Sequence, residues 1–210
     1  EIGSTIAQTP SLRDRGLVGY WTFDEGSGTT AYDRSGKGNN ITLYNGPTWV
    51  SGKKYTAINF NRNYGIANLN SSTYPAFTVS GWGYLTDSSG GDASNWATFV
   101  RIGSFQIAAS TAKIAVYSTP PSYVKSGNTF SLNSWHYLTW VATNNQIVMY
   151  IDGQQDTIGT LPSFPVNNVF YVGCWSLPNA QCWIGSIDEL RIYNRALSAA
   201  EIASIYTATQ

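Results

Sequence analysis

The stretch Gly185-Ser186-Ile187-Asp188-Glu189-Leu190-Arg191-Ile192-Tyr193-Asn194-Arg195-Ala196-Leu197-Ser198 decides the fold. Apolar Ile187, Leu190, Ile192 and Tyr193 alternate, with one break, against Asp188, Glu189 and Arg191, which is the pattern of a half-buried strand. A helix follows it. Ser198 and Glu201 form a capping box, and Leu197 opposite Ile202 supplies a hydrophobic staple, so a short C-terminal helix is expected over about residues 199–206. Adjacent residues of a strand point to opposite faces. Asp188 and Glu189 are therefore expected to diverge, Asp188 toward Asp24 at the end of an N-terminal strand and Glu189 toward solvent or a basic partner near Arg191.

Upstream, strand patterns recur between turn signals: 17–23, 41–44, 57–60, 77–85, 97–102, 105–108, 113–117, 129–132, 136–142, 146–151, 169–175 and 183–193. No helical period precedes residue 198. Many short strands with one late helix predict an all-β, two-sheet antiparallel sandwich of jelly-roll type. Asp152-Gly153 closes the clearest hairpin, because a type I′ turn needs two positive φ angles. Residues 87–95 and 118–127 read as loops, the second carrying Pro120-Pro121.

With 210 residues and no low-complexity break, the chain reads as one domain over residues 17–210 behind a lead segment, 1–16. Only 11% of residues are charged against 14% aromatic, and 12 basic residues balance 12 acidic ones, so no field draws the chain to nucleic acid or an anionic membrane. No apolar run approaches the ~20 residues that span a bilayer. Glu1-Ile2-Gly3-Ser4 lacks the regions of a signal peptide, which suggests a mature or trimmed product. Cys174 and Cys182 flank a turn-bearing segment and are expected to form a disulfide across a hairpin, placing the chain in an oxidising compartment. Two buried thiols are the alternative.

Several segments together resemble the laminin G-like, concanavalin A-like jelly-roll family: Gly19 to Gly28 followed by Asp33 to Asn39, Phe77 to Trp82, Ser134 to Tyr137, Tyr150 to Gly153, and Gly185 to Leu197. The resemblance covers about residues 17–206. It implies a sandwich whose first and last strands pair, a structural calcium near that pairing, and recognition of glycans or surface proteins. Trp140 stands where relatives carry Val or Ala, and the pattern does not require a cysteine-bounded hairpin.

Three constellations bear on chemistry. Asp24 and Asp188, with carbonyls of the Gly26-Ser27-Gly28 turn, are the expected calcium ligands, since calcium takes six to eight oxygens. Asp33 or Asn39 is a further candidate ligand, although an Asx-turn explains Asp33 without any metal. Flat aromatic faces pack against the C–H faces of sugars, which makes Trp82, Trp96, Trp140, Trp175 and Tyr117 the candidate ligand-binding residues, Trp96 and Trp175 foremost because turn-rich sequence surrounds them. Each competes with a core role. Trp21 and Trp135 are assigned to the core. Catalysis is not expected: no strand carries alternate carboxylates of the glycosidase kind, and His136, the one histidine, has no Gly-x-Ser-x-Gly elbow beside it and reads as a satisfied strand residue.

The expected function is a non-catalytic, secreted or cell-surface recognition domain that binds a glycan or a surface protein and holds a structural calcium. The alternative is a structural or adhesive subunit of a pilus or filament. In that reading the uncharged lead adds a strand to a neighbouring copy.

Overall fold

The computed structural model describes residues 14–69, 75–87, 96–103, 105–118, 122–143, 145–161, 169–174 and 181–210. The lead up to residue 13, and with it the strand-donation reading, lies outside the described residues. The strands begin with β1 (Leu17–Trp21), β2 (Thr30–Ala31), β3 (Ile41–Tyr44), β4 (Thr48–Ser51), β5 (Thr56–Phe60) and β6 (Tyr64–Asn68). Next come β7 (Ala76–Asp87), β8 (Ala97–Ile102), β9 (Phe105–Ser110), β10 (Lys113–Ser118) and β11 (Ser122–Lys125). The chain continues with β12 (Trp135–Thr143), β13 (Gln146–Ile151), β14 (Gln154–Thr160), β15 (Val169–Val172) and β16 (Ile184–Tyr193), and ends on α1 (Ala199–Ala208).

These strands form two antiparallel sheets. The first has the order β14-β13-β12-β7-β16-β5-β4, with β1 also on β16; the second has β11-β10-β9-β8-β15-β6-β3-β2. The first and last strands pair as expected, Trp21 opposite Leu190 and Tyr20 opposite Arg191. Alternation places Ile147 and Met149 of β13, Val79 of β7 and Leu190 and Ile192 of β16 between the sheets, where they meet Ile114, Val116, Ile107 and Phe170 from the other side. Burying side chains of this size contributes roughly 1.5–3 kcal/mol each, and this face-to-face core is what holds the sandwich together.

The local signals that mark turns and caps are realised. Asp152 and Gly153 take φ of 51° and 75°, as a type I′ turn requires. Ser198 and Glu201 make both hydrogen bonds of the capping box. Leu197 and Ile202 share a second buried cluster with Trp82, Tyr137, Val141 and Tyr193, so α1 lies across the outer face of the first sheet.

Two expected elements differ. Residues 129–132 form no strand: Phe130 dips into the core with Leu132 packed against it, and the Phe130 N–H bonds to Ala112 O as a single contact rather than a ladder. The predicted strand over 169–175 stops at Val172, because Gly173 follows at φ 91°. Conversely, part of the predicted loop 118–127 is β11, paired with β10 through Tyr123↔Tyr117 and Lys125↔Ala115.

Candidate functional site

Strand register assembles a row of side chains on the outer face of the second sheet. Tyr123 stands opposite Tyr117, Tyr117 opposite Gln106, Gln106 opposite Arg101, and Arg101 opposite Tyr171. At a strand spacing of about 4.8 Å the row is roughly 19 Å long. Its neighbours inside the sandwich, Ile114, Val116, Ile107 and Ile102, are wholly buried, so alternation directs this set outward. Trp96, immediately before β8, leans into one end: its ring centroid lies 5.8 Å from that of Tyr117 and 6.1 Å from that of Tyr123, both edge-on. Lys125 projects over the same group, its Nζ 5.4 Å from the Trp96 ring and 5.5 Å from the Tyr123 ring. Beneath lie the small or short polar residues Ala108, Ala115 and Thr98, and Gln106, whose Nε2 donates to Thr98 Oγ1 at 2.6 Å. Tyr123 is 62% exposed, while Trp96, Tyr117 and Lys125 are half-buried. At the far end Arg101 stacks on Tyr171 at 5.1 Å and donates through Nε to Gly103 O. The result is a partly open aromatic platform on a polar sheet face.

Of the predicted ligand residues, the fold brings Trp96 and Tyr117 together. Trp175 lies outside the described residues. Trp140 and Trp82 require correction. Trp140 is wholly buried between the sheets, its ring 5.5 Å from Phe99, and presents no face to a ligand. Trp82 does point away from the core, but α1 covers it: its Nε1 donates to Thr209 Oγ1 at 3.0 Å, Tyr206 and Tyr137 flank the ring, and Lys53 Nζ sits 4.4 Å above it. Trp135, expected in the core, is half-buried on the outer face of the first sheet beside Tyr84, at 5.5 Å. Lys125 was not foreseen. The Ser122-Tyr123-Val124-Lys125 alternation was the signal that places Tyr123 and Lys125 on one side, and Pro120-Pro121 obscured it.

The acidic pair behaves differently from a regular strand. Asp188 pairs with Trp82 and Arg191 with Ser80, so two residues of β16 oppose Gly81 alone. Glu189, at φ 53°, sits in this bulge. The extra residue returns Glu189 to the outer face, where its Oε2 accepts from Arg191 Nη2 at 2.6 Å and from the Tyr20 hydroxyl at 2.8 Å. Alternation across Asp188-Glu189 therefore fails, and Glu189, 1% exposed, faces its basic partner rather than solvent. Arg191 in turn stacks on Tyr20 at 4.0 Å. A cavity of about 200 Å³ opens beside them, lined by Tyr20, Lys54, Glu189, Arg191, Tyr193 and Thr209 among others. Burial pushes the Tyr20 phenol well above its ordinary range.

Asp24 and Asp188 converge on one hairpin end. Asp24 Oδ1 accepts from Thr56 N at 3.3 Å and Asp188 Oδ2 from Lys54 N at 3.0 Å. Asp188 is wholly buried and its Oδ1 has no hydrogen-bond partner. Burial first, then the neighbouring charges of Glu189 and Asp24, push its carboxyl up to about 7. An orphaned buried carboxylate oxygen beside a second carboxylate fits a cation. Among the described residues no group of three or more acidic, His or Cys side chains converges, so carbonyls and water would supply the remaining oxygens. Ser27 lies in the exposed turn, and Gly28 O already accepts from Trp49 Nε1 at 3.0 Å. Asp33 is the turn residue expected: burial opposes its ionisation, but hydrogen bonds from Tyr20 N, Ser35 N, Ser35 Oγ and Asn39 N outweigh burial and lower its pKa.

His136 is hydrogen-bonded at both nitrogens, to Asp152 Oδ2 and to Ser131 Oγ, each at 2.8 Å. Asp152 is also tied reciprocally to β12, its Oδ1 accepting from Tyr137 N and its own N–H donating to Tyr137 O. The trio clamps the hairpin turn onto the neighbouring strand. Cys174 and Cys182 form the disulfide, with Cα atoms 4.0 Å apart.

Residues 61–203 match the family model of the concanavalin A-like lectin/glucanases superfamily, in its laminin G form, and the chain belongs to that family. No curated protein matches it in sequence. Among solved structures, the binding domain of Paraclostridial Mosquitocidal Protein 1 superposes with a TM-score of 0.75 at 19% identity, over 94% of this chain and 53% of that one. The binding domain of botulinum neurotoxin DC in complex with rat synaptotagmin II gives 0.72 at 12% identity, over 95% and 53%. The same toxin's binding domain in complex with SialylT gives 0.69 at 11%, over 94% and 52%. The chain thus spans about half the length of the structures it matches, and at these identities the likeness is one of fold.

Proposed function

We propose that this chain is a non-catalytic extracellular recognition domain that binds carbohydrate on the outer face of its second sheet and holds a structural calcium between Asp24 and Asp188. The observation that carries the reading is the platform of Trp96, Tyr117 and Tyr123 over a floor of small side chains. Three π-faces within one patch suit the C–H faces of sugar rings, and the half-buried Arg101 stands further along the same row. The disulfide supports a secreted or cell-surface location. Among the described residues no helix is long and apolar enough to cross a membrane. Two structures of similar fold add support: one is a binding domain in complex with synaptotagmin, another in complex with SialylT. Extended surface recognition of either a glycan or a surface protein is thus within the range of this architecture.

A glycan array probed with the wild type and with Trp96→Ala tests the reading. Wild-type signal on a defined set of glycans, lost in a variant with unchanged circular dichroism, is the expected result. Absence of wild-type signal from every glycan would overturn it.

A further inference from the structure

Building on the glycan-recognition reading, we propose that the sugar taken by this platform carries a carboxylate, which pairs with the Lys125 ammonium. Register fixes where that ammonium stands. Lys125 is opposite Ala115, whose small side chain leaves room, and two residues along from Tyr123 on the same face of β11. Its Nζ is within 5.5 Å of two ring centroids and, among the described residues, belongs to no ion pair.

The neighbouring charged groups are already engaged. Lys113 Nζ donates to Gly127 O at 2.7 Å. Arg101 donates to Gly103 O and stacks on Tyr171. Asp156, the carboxylate that meets the exit of β11, accepts from Gly127 N at 2.6 Å and from Asn128 N and Nδ2 at 3.0 and 2.7 Å. Among the described residues Lys125 is therefore a cation set against aromatic rings with no carboxylate paired to it.

That arrangement discriminates between sugars. A ring stacked on Trp96 or Tyr123 strips water from the ammonium, and a neutral sugar returns only hydroxyl contacts in exchange. Stranding a charge in this way is costly, whereas a carboxylate at the sugar edge restores a charge-assisted hydrogen bond of about 2.7–2.9 Å. Two cation–π contacts hold the ammonium close to the rings and limit its retreat. The platform is thus built to prefer acidic over neutral sugars.

The test is calorimetric titration of the intact chain with matched pairs: sialyllactose against lactose, and a glucuronic-acid-terminated disaccharide against its glucose-terminated counterpart. The acidic member of at least one pair is expected to bind about tenfold or more tightly, and whichever pair shows this identifies the acid. Lys125→Gln abolishes the preference while neutral-sugar binding persists, Lys125→Arg retains it, and Trp96→Ala removes both. Equal binding of acidic and neutral members, unaffected by Lys125→Gln but lost in Trp96→Ala, overturns the acidic-sugar inference and leaves glycan recognition standing. No binding of any of the four probes, with no array signal, overturns both.

Discussion

Asp188→Asn, followed against pH with and without calcium, gives the sharpest test of how the sandwich is closed. The buried Asp188 carboxyl has its pKa pushed from 3.8 up to about 7, so between those values the native protein holds a proton that the unfolded chain has released. Stability consequently falls as pH rises through this window. At roughly 1.4 kcal/mol per unit the loss totals on the order of 4 kcal/mol by about pH 8. The other resolved carboxylates act lower. Arg195 holds Glu201 down to about 2, and Asp33 and Asp156 are also depressed, so their stabilisation is lost only as pH falls below about 4.5. In chelator, Asp188→Asn removes the charge penalty but leaves an unsatisfied amide donor costing about 1–3 kcal/mol. The variant should therefore be more stable by about 1–3 kcal/mol near pH 8, a rise of roughly 5 °C in midpoint. In calcium the variant's advantage is offset, because the ion replaces the proton and a ligand at a hundred times its Kd adds about 2.7 kcal/mol to the wild type. Urea unfolding at several pH values, in chelator and in calcium, reads all of this. A wild-type profile flat between about pH 5 and pH 8 in chelator would refute the burial argument, and no calcium-dependent difference between wild type and variant would remove the metal.

Three further outcomes follow from the same contacts. Glu189→Gln leaves the Arg191 guanidinium buried without its carboxylate partner and should cost about 3–5 kcal/mol in urea unfolding; a loss below 1 kcal/mol would mean that solvent reaches Arg191 freely. Reducing Cys174–Cys182, which closes a loop of sequence separation 8, should cost about 2–3 kcal/mol and lower the melting midpoint without unfolding the sheets; an unchanged midpoint would count against that contribution. Asp152→Ala removes the bonds to Tyr137 N and His136 and puts alanine at φ 51°, so a destabilisation of about 2–3 kcal/mol is expected in thermal melts, with Asp152→Asn milder.

Residue periodicity made much of the sandwich legible. The alternation of Gln146 to Ile151, the Asp152-Gly153 turn and the Ser198 cap are local signals, and each is realised locally. What escaped sequence reading depends on distant contacts. Trp82 has the outward phase of an exposed strand residue, yet a threonine 127 residues away caps its indole. Glu189 adopts positive φ with no glycine or asparagine to announce the bulge, so strict alternation misplaced it. Edge strands such as β4 and β14 carry mixed polar patterns because their partners, rather than their own hydrophobicity, hold them in the sheet. The site was half legible for the same reason. Trp96 and Tyr117 stood out as aromatics near loops, but only the β10–β11 pairing shows that Tyr123 and Lys125 complete the group.

The central claim is that ligand sits on the outer face of the second sheet. Indole N–H resonances of the isotopically labelled chain, followed during titration with an array-selected glycan, address it directly. Saturable shifts of the Trp96 indole are expected, while those of Trp140 in the core and Trp82 beneath α1 stay in place. Shifts at Trp82 and around the Tyr20–Arg191 cavity, with Trp96 unmoved, would contradict it and transfer the site to the first sheet.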